Sequence, residues 1–537
     1  MNIGIYLGFG REYKEYSLTD QGLGRYLAFL VRGLAEGGNY LTIAYPYWYK
    51  IPLKELLSYY HVDIAKVTYL EAELPMSAWE LYLDFLMRKQ RQPKANTFGF
   101  SPRKMLSNVL SRIVQIHNPI VLFACFFLML LIIVLLSPLI CISICLLVGP
   151  KMIIRFIKKS KGILKKYLMA LKLYNHALWV RQEFEKQLDL TERVRLRLMS
   201  SMVKMINNRD LAVDIWFSPM MFWPEFDQIR GTKVVAVPDL VTVPFAFGYS
   251  KYKVINTTNN CRDTLRKGTN FITYCNYVRD TLLVKEYQKH SDRIKVIPHA
   301  NNETISDINV SDSLIKFNPE YDVNKHFARR ILQTLPMKAS IRYSSYFEKY
   351  SFADLKYIFY SSQVRPNKNM LNLFKAYEYL LRKKHYNIKL ITTGNLEHST
   401  ELLDYVHTAN LHFDILSFNG VSVKQLSALY ACAELVVNPT LYEGGFPFTF
   451  AEGMSVGTPS VMSNIPQVKE VCDGWGMELY LFDPYRWEDI AEKIEYGLNH
   501  KEELVKNQLP LYKHLAERTW EVVAREYVDV FKYFLHK

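Results

Sequence analysis

The feature that most constrains this chain is a run of thirty residues, Pro119 to Val148, without a single charge (PIVLFACFFLMLLIIVLLSPLICISICLLV). Eighteen or more such residues predict contact with a bilayer. The surroundings sharpen that expectation. Between Phe85 and Gln182 there is no Asp or Glu, yet sixteen of the chain's 67 Lys and Arg fall there. The remainder, 51 basic and 52 acidic residues, is close to neutral. The formal charge of +15 therefore belongs to one insert and not to a nucleic-acid-binding face. Basic residues around an apolar core suit an anionic membrane surface.

Topology decides how the run is used. Residues 1–80 and 200–300 both read as strands and helices of one domain, so the two flanks must lie on the same side of a membrane. Two full crossings need about 40 residues and a turn, more than the run supplies. Pro138 removes a helix hydrogen bond inside it. The expectation is an α-helical hydrophobic hairpin, 119–148, that enters one leaflet and returns. The basic flanks place both ends in the cytoplasm. KMIIRFIKKSKGILKKYLMALKL, from Lys151, reads as an interfacial helix. The start, MNIGIYLGF, reads as a first strand and not as a signal peptide.

Outside the insert, β-rich runs alternate with helical patterns. Before it come Asn2–Leu7 and LTIAYP; after it come DIWFSP, KVVAVPDL, NFITYC and KVIPHA. A second series follows: LKYIFYSS, a helix over Met370–Lys383, IKLITTG, FDILSFNG, a helix over Val423–Ala433, LVVNPT, PSVMS and LYLFDP. Such alternation predicts parallel sheets covered on both faces. The fold class expected is α/β, with two facing doubly wound domains and the hairpin inserted in the first. The boundaries are 1–300 for the N-terminal domain (insert 85–182), 301–350 for a linker, 351–510 for the C-terminal domain, and 511–537 for a helix returning towards the first domain. The last helical stretch is read as Glu502–Leu535. Seven cysteines without zinc or disulfide spacing fit a reducing compartment and no metal cage.

Chemistry concentrates in NPTLYEGGFPFTFAEGMSVGTPSV, residues 438–461. Glu443 sits in a loop after a strand. Gly444 and Gly445 let backbone approach a ligand. Pro447 and Thr449 are candidate starts for the helix carrying Glu452, whose free N–H groups suit a diphosphate. Upstream, YIFYSSQVRPNKNM places Arg365 and Lys368 directly after a strand, where cations stabilise a departing phosphate.

The 438–461 run resembles the glutamate-pair motif of the retaining glycosyltransferases of family 4 (glycosyl transferases group 1), which have the GT-B fold. The resemblance covers about 1–80 and 200–537 and is strongest in the C-terminal half. It implies that Glu443 meets the donor sugar, Glu452 the nucleotide ribose, and Arg365 and Lys368 the diphosphate. The glutamates stand nine positions apart, against eight in the family. Gly444, Gly445, Phe446, Pro447 and Thr449 fit the family's donor loop; Gly394 and Asn419 fall at strand ends that border the base. Gly22 and Gly24 fall where the family has a Gly-rich loop near the donor phosphates. VVAVPDL resembles the strand that in the family ends in His-Asp, but here Pro238 stands at the His position. Asp239 remains a candidate catalytic contact to an acceptor hydroxyl. Arg279 is a candidate phosphate contact, and His299 reads as structural.

The resemblance implies a hexosyltransferase using a GDP- or UDP-sugar, without metal or other cofactor, since no DxD signature is present. With the basic apolar insert, the expected acceptor is a lipid-linked glycan or a polysaccharide at the cytoplasmic face of a bacterial inner membrane, in O-antigen, capsule or exopolysaccharide assembly. A catalytically silent membrane scaffold and a sugar-nucleotide epimerase of the same fold are the alternatives.

Overall fold

The computed structural model describes residues 1–10, 18, 22–72, 190–239, 241, 251–301, 323–335 and 351–537. The chain divides into two compact units, Met1–Leu74 with Arg195–Lys537, and Pro75–Val194. The expected hairpin and interfacial helix fall in the second unit, outside the described residues. Among the described residues no helix is long and apolar enough to cross a membrane.

The first unit contains two parallel sheets. The N-terminal sheet is built from β1 (Asn2–Tyr6), β2 (Tyr40–Pro46), β3 (Val67–Ala72), β4 (Ile215–Ser218), β5 (Lys233–Val237), β6 (Asn270–Thr273) and β7 (Ile294–Val296), in the order β3-β2-β1-β4-β5-β6-β7. β1 pairs with β2 on one side (Ile3 opposite Leu41) and with β4 on the other (Ile3 opposite Ile215). Chain from both sides of the insert thus shares one sheet. Its helices are α1 (Gly22–Glu36), α2 (Lys50–Tyr59), α3 (Leu190–Asn208) and α4 (Lys251–Lys267). Strand residues are buried almost throughout, which is why they read as continuous apolar runs. β3 was not among the anticipated strands. It is an edge strand whose burial alternates, and its Glu71 pairs with Lys50 at 2.7 Å.

After α5 (Val323–Leu332), the C-terminal sheet comprises β8 (Tyr357–Tyr360), β9 (Lys389–Thr392), β10 (Ile415–Ser417), β11 (Leu435–Asn438), β12 (Ser460–Ser463) and β13 (Leu481–Phe482), in the order β10-β9-β8-β11-β12-β13. Helices α6 (Met370–Arg382), α7 (Thr400–Thr408), α8 (Val423–Cys432), α9 (Phe448–Met454), α10 (Pro466–Cys472) and α11 (Trp487–Asn499) cover it. One apolar cluster, with Leu373, Tyr377 and Ile494, lies on one face. A second, with Leu332, Phe418 and Tyr430, lies on the other. The strand order reverses between β8 and β11, and ligands of doubly wound sheets bind at that switch point, beyond the strand carboxyl ends.

The last segment is two helices, α12 (Lys501–Ala516) and α13 (Trp520–Leu535), not one. Thr519 breaks it, accepting a bond from the Val522 N–H as the cap of α13. α12 stays on the C-terminal domain: the buried Gln508 amide accepts from the Ser460 N–H at 2.9 Å and donates to the Ser460 carbonyl at 2.7 Å. α13 crosses to the N-terminal domain and packs on α1. The Tyr26 and Tyr527 hydroxyls meet at 2.9 Å, and Phe531 lies 5.6 Å from the Phe217 ring. Arg518, in the turn, donates to the Pro298 carbonyl at 2.8 and 3.0 Å and grips Glu526.

The fully buried Phe531 should therefore dominate the hold of α13. Phe531→Ala should cost about 3–5 kcal/mol, whereas Val530→Ala, half-buried on the same helix, should cost less than about 1 kcal/mol. Urea unfolding of the two variants checks this.

Candidate active site

The turn after β8 and the loop after β11 emerge on either side of the switch point, and the sequence brings them together. Lys368 ends a short turn, Pro366–Lys368, and its Nζ pairs with Glu443 Oε1; both side chains are one-fifth exposed. Asn367, between the two expected cations, holds the loops in register. Its Nδ2 donates to the Tyr442 carbonyl at 3.0 Å, and its own carbonyl accepts from the Leu441 N–H at 2.7 Å and the Thr440 hydroxyl at 3.1 Å. Asn369 adopts a left-handed φ of 54° and ties the turn to the Pro439 and Pro484 carbonyls. Arg365 is exposed and donates to Gln363 Oε1 at 2.6 Å.

The Glu443 loop is pressed against the N-terminal domain. A Cβ on Gly444 would stand 2.3 Å from the Pro238 carbonyl oxygen, so no other residue fits there without moving the loop. The Cys275 thiol donates to the Gly444 carbonyl at 3.4 Å. Gly445 faces Tyr274 and His299. Pro238 itself supplies only a backbone carbonyl at this contact. Asp239, beside it, is held above the usual carboxylate range. Burial is the main cause and the Glu443 charge adds to it; the Val241 N–H, Arg365 and Lys368 act in the opposite sense. Asp239, Glu443, Lys368 and Arg365 thus form one charged group at the meeting of the two domains.

Glu452 lies apart from that group and is 3% exposed. Pro447 caps α9, so helix begins at Phe448, and Glu452 sits one turn in. Thr449 does not open the helix; its hydroxyl accepts from Asn438 Nδ2 at 2.9 Å. Glu452 Oε2 accepts from the Tyr430 hydroxyl at 2.7 Å, and Oε1 accepts from Arg25 Nη1 at 2.9 Å. Arg25 comes from the first turn of α1 in the other domain. The preceding Gly24 is where α1 closes on the chain before it: a Cβ there would lie 1.9 Å from the Leu18 oxygen. Among the described residues, nothing lies within 4 Å of a Cβ on Gly22.

The remaining expected residues are distributed as follows. Gly394 packs on Ser362 and Val364 beside the β8 turn, and its carbonyl accepts from the Ser417 hydroxyl. Asn419 is exposed beyond β10, at the same sheet edge but on its outermost strand. Phe446 is buried against Phe450. Arg279 is turned to Asp280 at 2.7 Å. Arg25, Tyr430, Asn367, Tyr274 and Cys275 escaped sequence reasoning. Arg25 had a signal, since it directly follows the GxG pair; Tyr430 sits on an apolar helix face and had none.

His299 stacks on Phe448 with ring centroids 4.0 Å apart. Its Nδ1 bonds the Ala300 carbonyl at 3.2 Å, which can only accept, so Nδ1 carries the proton and Nε2 faces Gly445. Burial pushes its pKa down to about 4, with Arg518 acting in the same sense. A depressed imidazole makes the unfolded state bind more protons between the two pKa values, so stability is lost as pH falls from about 6.5 towards 4. His299→Gln should remove about 2 kcal/mol of that acid sensitivity between pH 7.5 and pH 5. Denaturant midpoints of both proteins at pH 7.5 and pH 5 check it.

Residues 344–510 match the glycosyl transferases group 1 family. They include Arg365, Lys368, Glu443 and Glu452. The O-antigen chain mannosyltransferase B of Escherichia coli is 30% identical over 152 residues, 28% of this chain and 39% of that protein. The lipopolysaccharide 1,2-N-acetylglucosaminetransferase of Salmonella typhimurium is 25% identical over 194 residues, 34% of this chain and 50% of that protein. The chain thus spans half or less of those two relatives. The chain is similar in fold to Anabaena Alr3699/HepE, solved with UDP and glucose (TM-score 0.54, 10% identity, 99% of both chains covered). It is similar also to the sucrose-phosphate synthase of Thermosynechococcus elongatus (TM-score 0.51, 11% identity, 100% of this chain and 99% of that one). The architecture is therefore GT-B, and the matching domain is that of a transferase.

Proposed function

We propose that this protein is a retaining glycosyltransferase that moves a sugar from a GDP- or UDP-sugar to a lipid-linked glycan at the cytoplasmic face of a bacterial inner membrane. The observation that carries the reading is the Lys368–Glu443 pair, built by two loops at the switch point, with the adjoining Gly444 backbone packed against Pro238 and Asp239. In this reading Lys368 and Arg365 stabilise the departing nucleoside diphosphate, whose negative charge grows as the anomeric bond breaks. No resident metal is invoked for that task. Glu443, held by Lys368, orients the donor sugar; Glu452 holds the ribose. Asp239, across the cleft, receives the acceptor hydroxyl. Closure of the two domains over these groups would exclude water and limit hydrolysis. UDP in the Anabaena structure, and the O-antigen and lipopolysaccharide names of the relatives, support the donor class and the surface-polysaccharide setting.

The membrane part of the reading is supported by where the insert begins and ends. β3 ends at Ala72 on the carboxyl edge of the sheet. α3 starts at that same edge: its Arg195 meets Glu225 at 2.9 Å and its Met199 meets the Tyr6 hydroxyl at the end of β1. Its other end lies at the amino edge, where Asn207 accepts from the Arg230 N–H before β5. The excursion thus leaves and rejoins one edge of one sheet, and a single crossing would strand that sheet on both sides of the membrane. A re-entrant apolar hairpin at 119–148 satisfies this.

A donor screen with membranes carrying lipid-linked acceptors, read by anomeric NMR, tests the chemistry. A retained anomer is expected, with kcat about 10²–10³ lower in Lys368→Ala. An inverted product defeats the assignment. Deletion of residues 119–148 should release the protein from membranes in a flotation assay; continued association would defeat the hairpin as anchor.

A further inference from the structure

Glu452 is held from two domains at once, and the N-terminal domain contributes a guanidinium to that hold. Arg25 Nη1 donates to Glu452 Oε1 at 2.9 Å, while Tyr430 of the C-terminal domain takes the other oxygen at 2.7 Å. The acid is 3% exposed and Arg25 21%. Their contact spans 427 positions of sequence, so it exists only when the two domains meet. The aim of Arg25 is rigid. Gly24 abuts Leu18, and the adjacent Tyr26 is buried and locked to Tyr527 of α13. Arg25 Nε is buried and has no hydrogen-bond partner among the described residues. A buried N–H without an acceptor is costly, and an oxygen of a ligand arriving beside Glu452 would remove that cost.

We infer that Arg25 is a positioning residue for the donor: it fixes the ribose-binding carboxylate of Glu452 from the opposite domain, so that seating the nucleotide and closing the two domains become one event. The inference rests on the reading of Glu452 as the ribose acid. Its consequence follows from linkage: if closure strengthens nucleotide binding through this pair, nucleotide must strengthen closure by the same factor. Through this pair the N-terminal domain, which contributes no residue to the family match at 344–510, would tune donor affinity.

The test uses the full-length protein and two probes, UDP and GDP, with dissociation constants from calorimetry and compaction from small-angle scattering. For whichever nucleotide binds, Arg25→Gln should raise Kd about tenfold, and Arg25→Lys should recover to within about threefold of the parent. Glu452→Gln should weaken binding by a similar factor. The double variant should be no weaker than the poorer single one, because the two residues act as a unit. Nucleotide should compact the parent, and Glu452→Gln should fail to compact even when saturated; this outcome decides the matter should Arg25→Gln not fold. A Kd unchanged in Arg25→Gln, or penalties that simply add, overturns the inference while leaving the donor site intact. Undiminished binding in Glu452→Gln overturns the ribose assignment itself, and a parent that binds neither nucleotide overturns both.

Discussion

Everything in the described structure depends on strands running parallel. A parallel strand cannot be followed directly by its neighbour; the chain must cross over and return. Each return puts another loop at the same edge of the sheet. That is why Arg365, Lys368 and Glu443, though far apart in sequence, leave the C-terminal sheet side by side: β8 and β11 are neighbours, and their carboxyl ends point the same way. The same rule in the other sheet brings Asp239 and Tyr274 out together after β5 and β6. It also dictates that the insert after β3 must come back before β4.

The two domains are joined by few but specific polar contacts. Arg25 meets Glu452, the Arg518 turn ties to Pro298, and Glu470 of α10 accepts from the Asn276 and Tyr277 N–H groups at 2.8 and 3.2 Å. The last satisfies backbone donors at the start of the helical segment after β6, so one domain caps an element of the other. Between these points the Gly444 loop touches the Pro238 carbonyl with no side chain in between. Pro238 contributes its backbone carbonyl to this contact. The imidazole against the loop is His299, neutral at physiological pH and wedged against Phe448.

Much of this was legible beforehand. The strand runs are apolar because both sheet faces are covered, and they were readable for that reason. The Gly-Gly and Glu-rich loop was conspicuous because close backbone contact needs glycine. The edge strand β3 was missed because one of its faces meets solvent and its pattern is mixed. The division of the last helical stretch into α12 and α13 was missed because Thr519 is an ordinary residue until its hydroxyl caps a helix.

Sequence alone determined the alternation of strands and helices, the insert with its one-signed charge, and the loops that carry Arg365, Lys368, Glu443 and Glu452. These depend on local periodicity, local charge and the steric freedom of glycine, all of which are properties of neighbouring residues. Only the tertiary structure decided that Lys368 pairs with Glu443, that Asp239 faces them, that Asn367 ties their loops together, and that Glu452 is gripped by Arg25 from the other domain. Those are distances between residues 73 to 427 positions apart. They are set by which strands lie next to each other and by the return of α13 onto α1, and no local pattern encodes either.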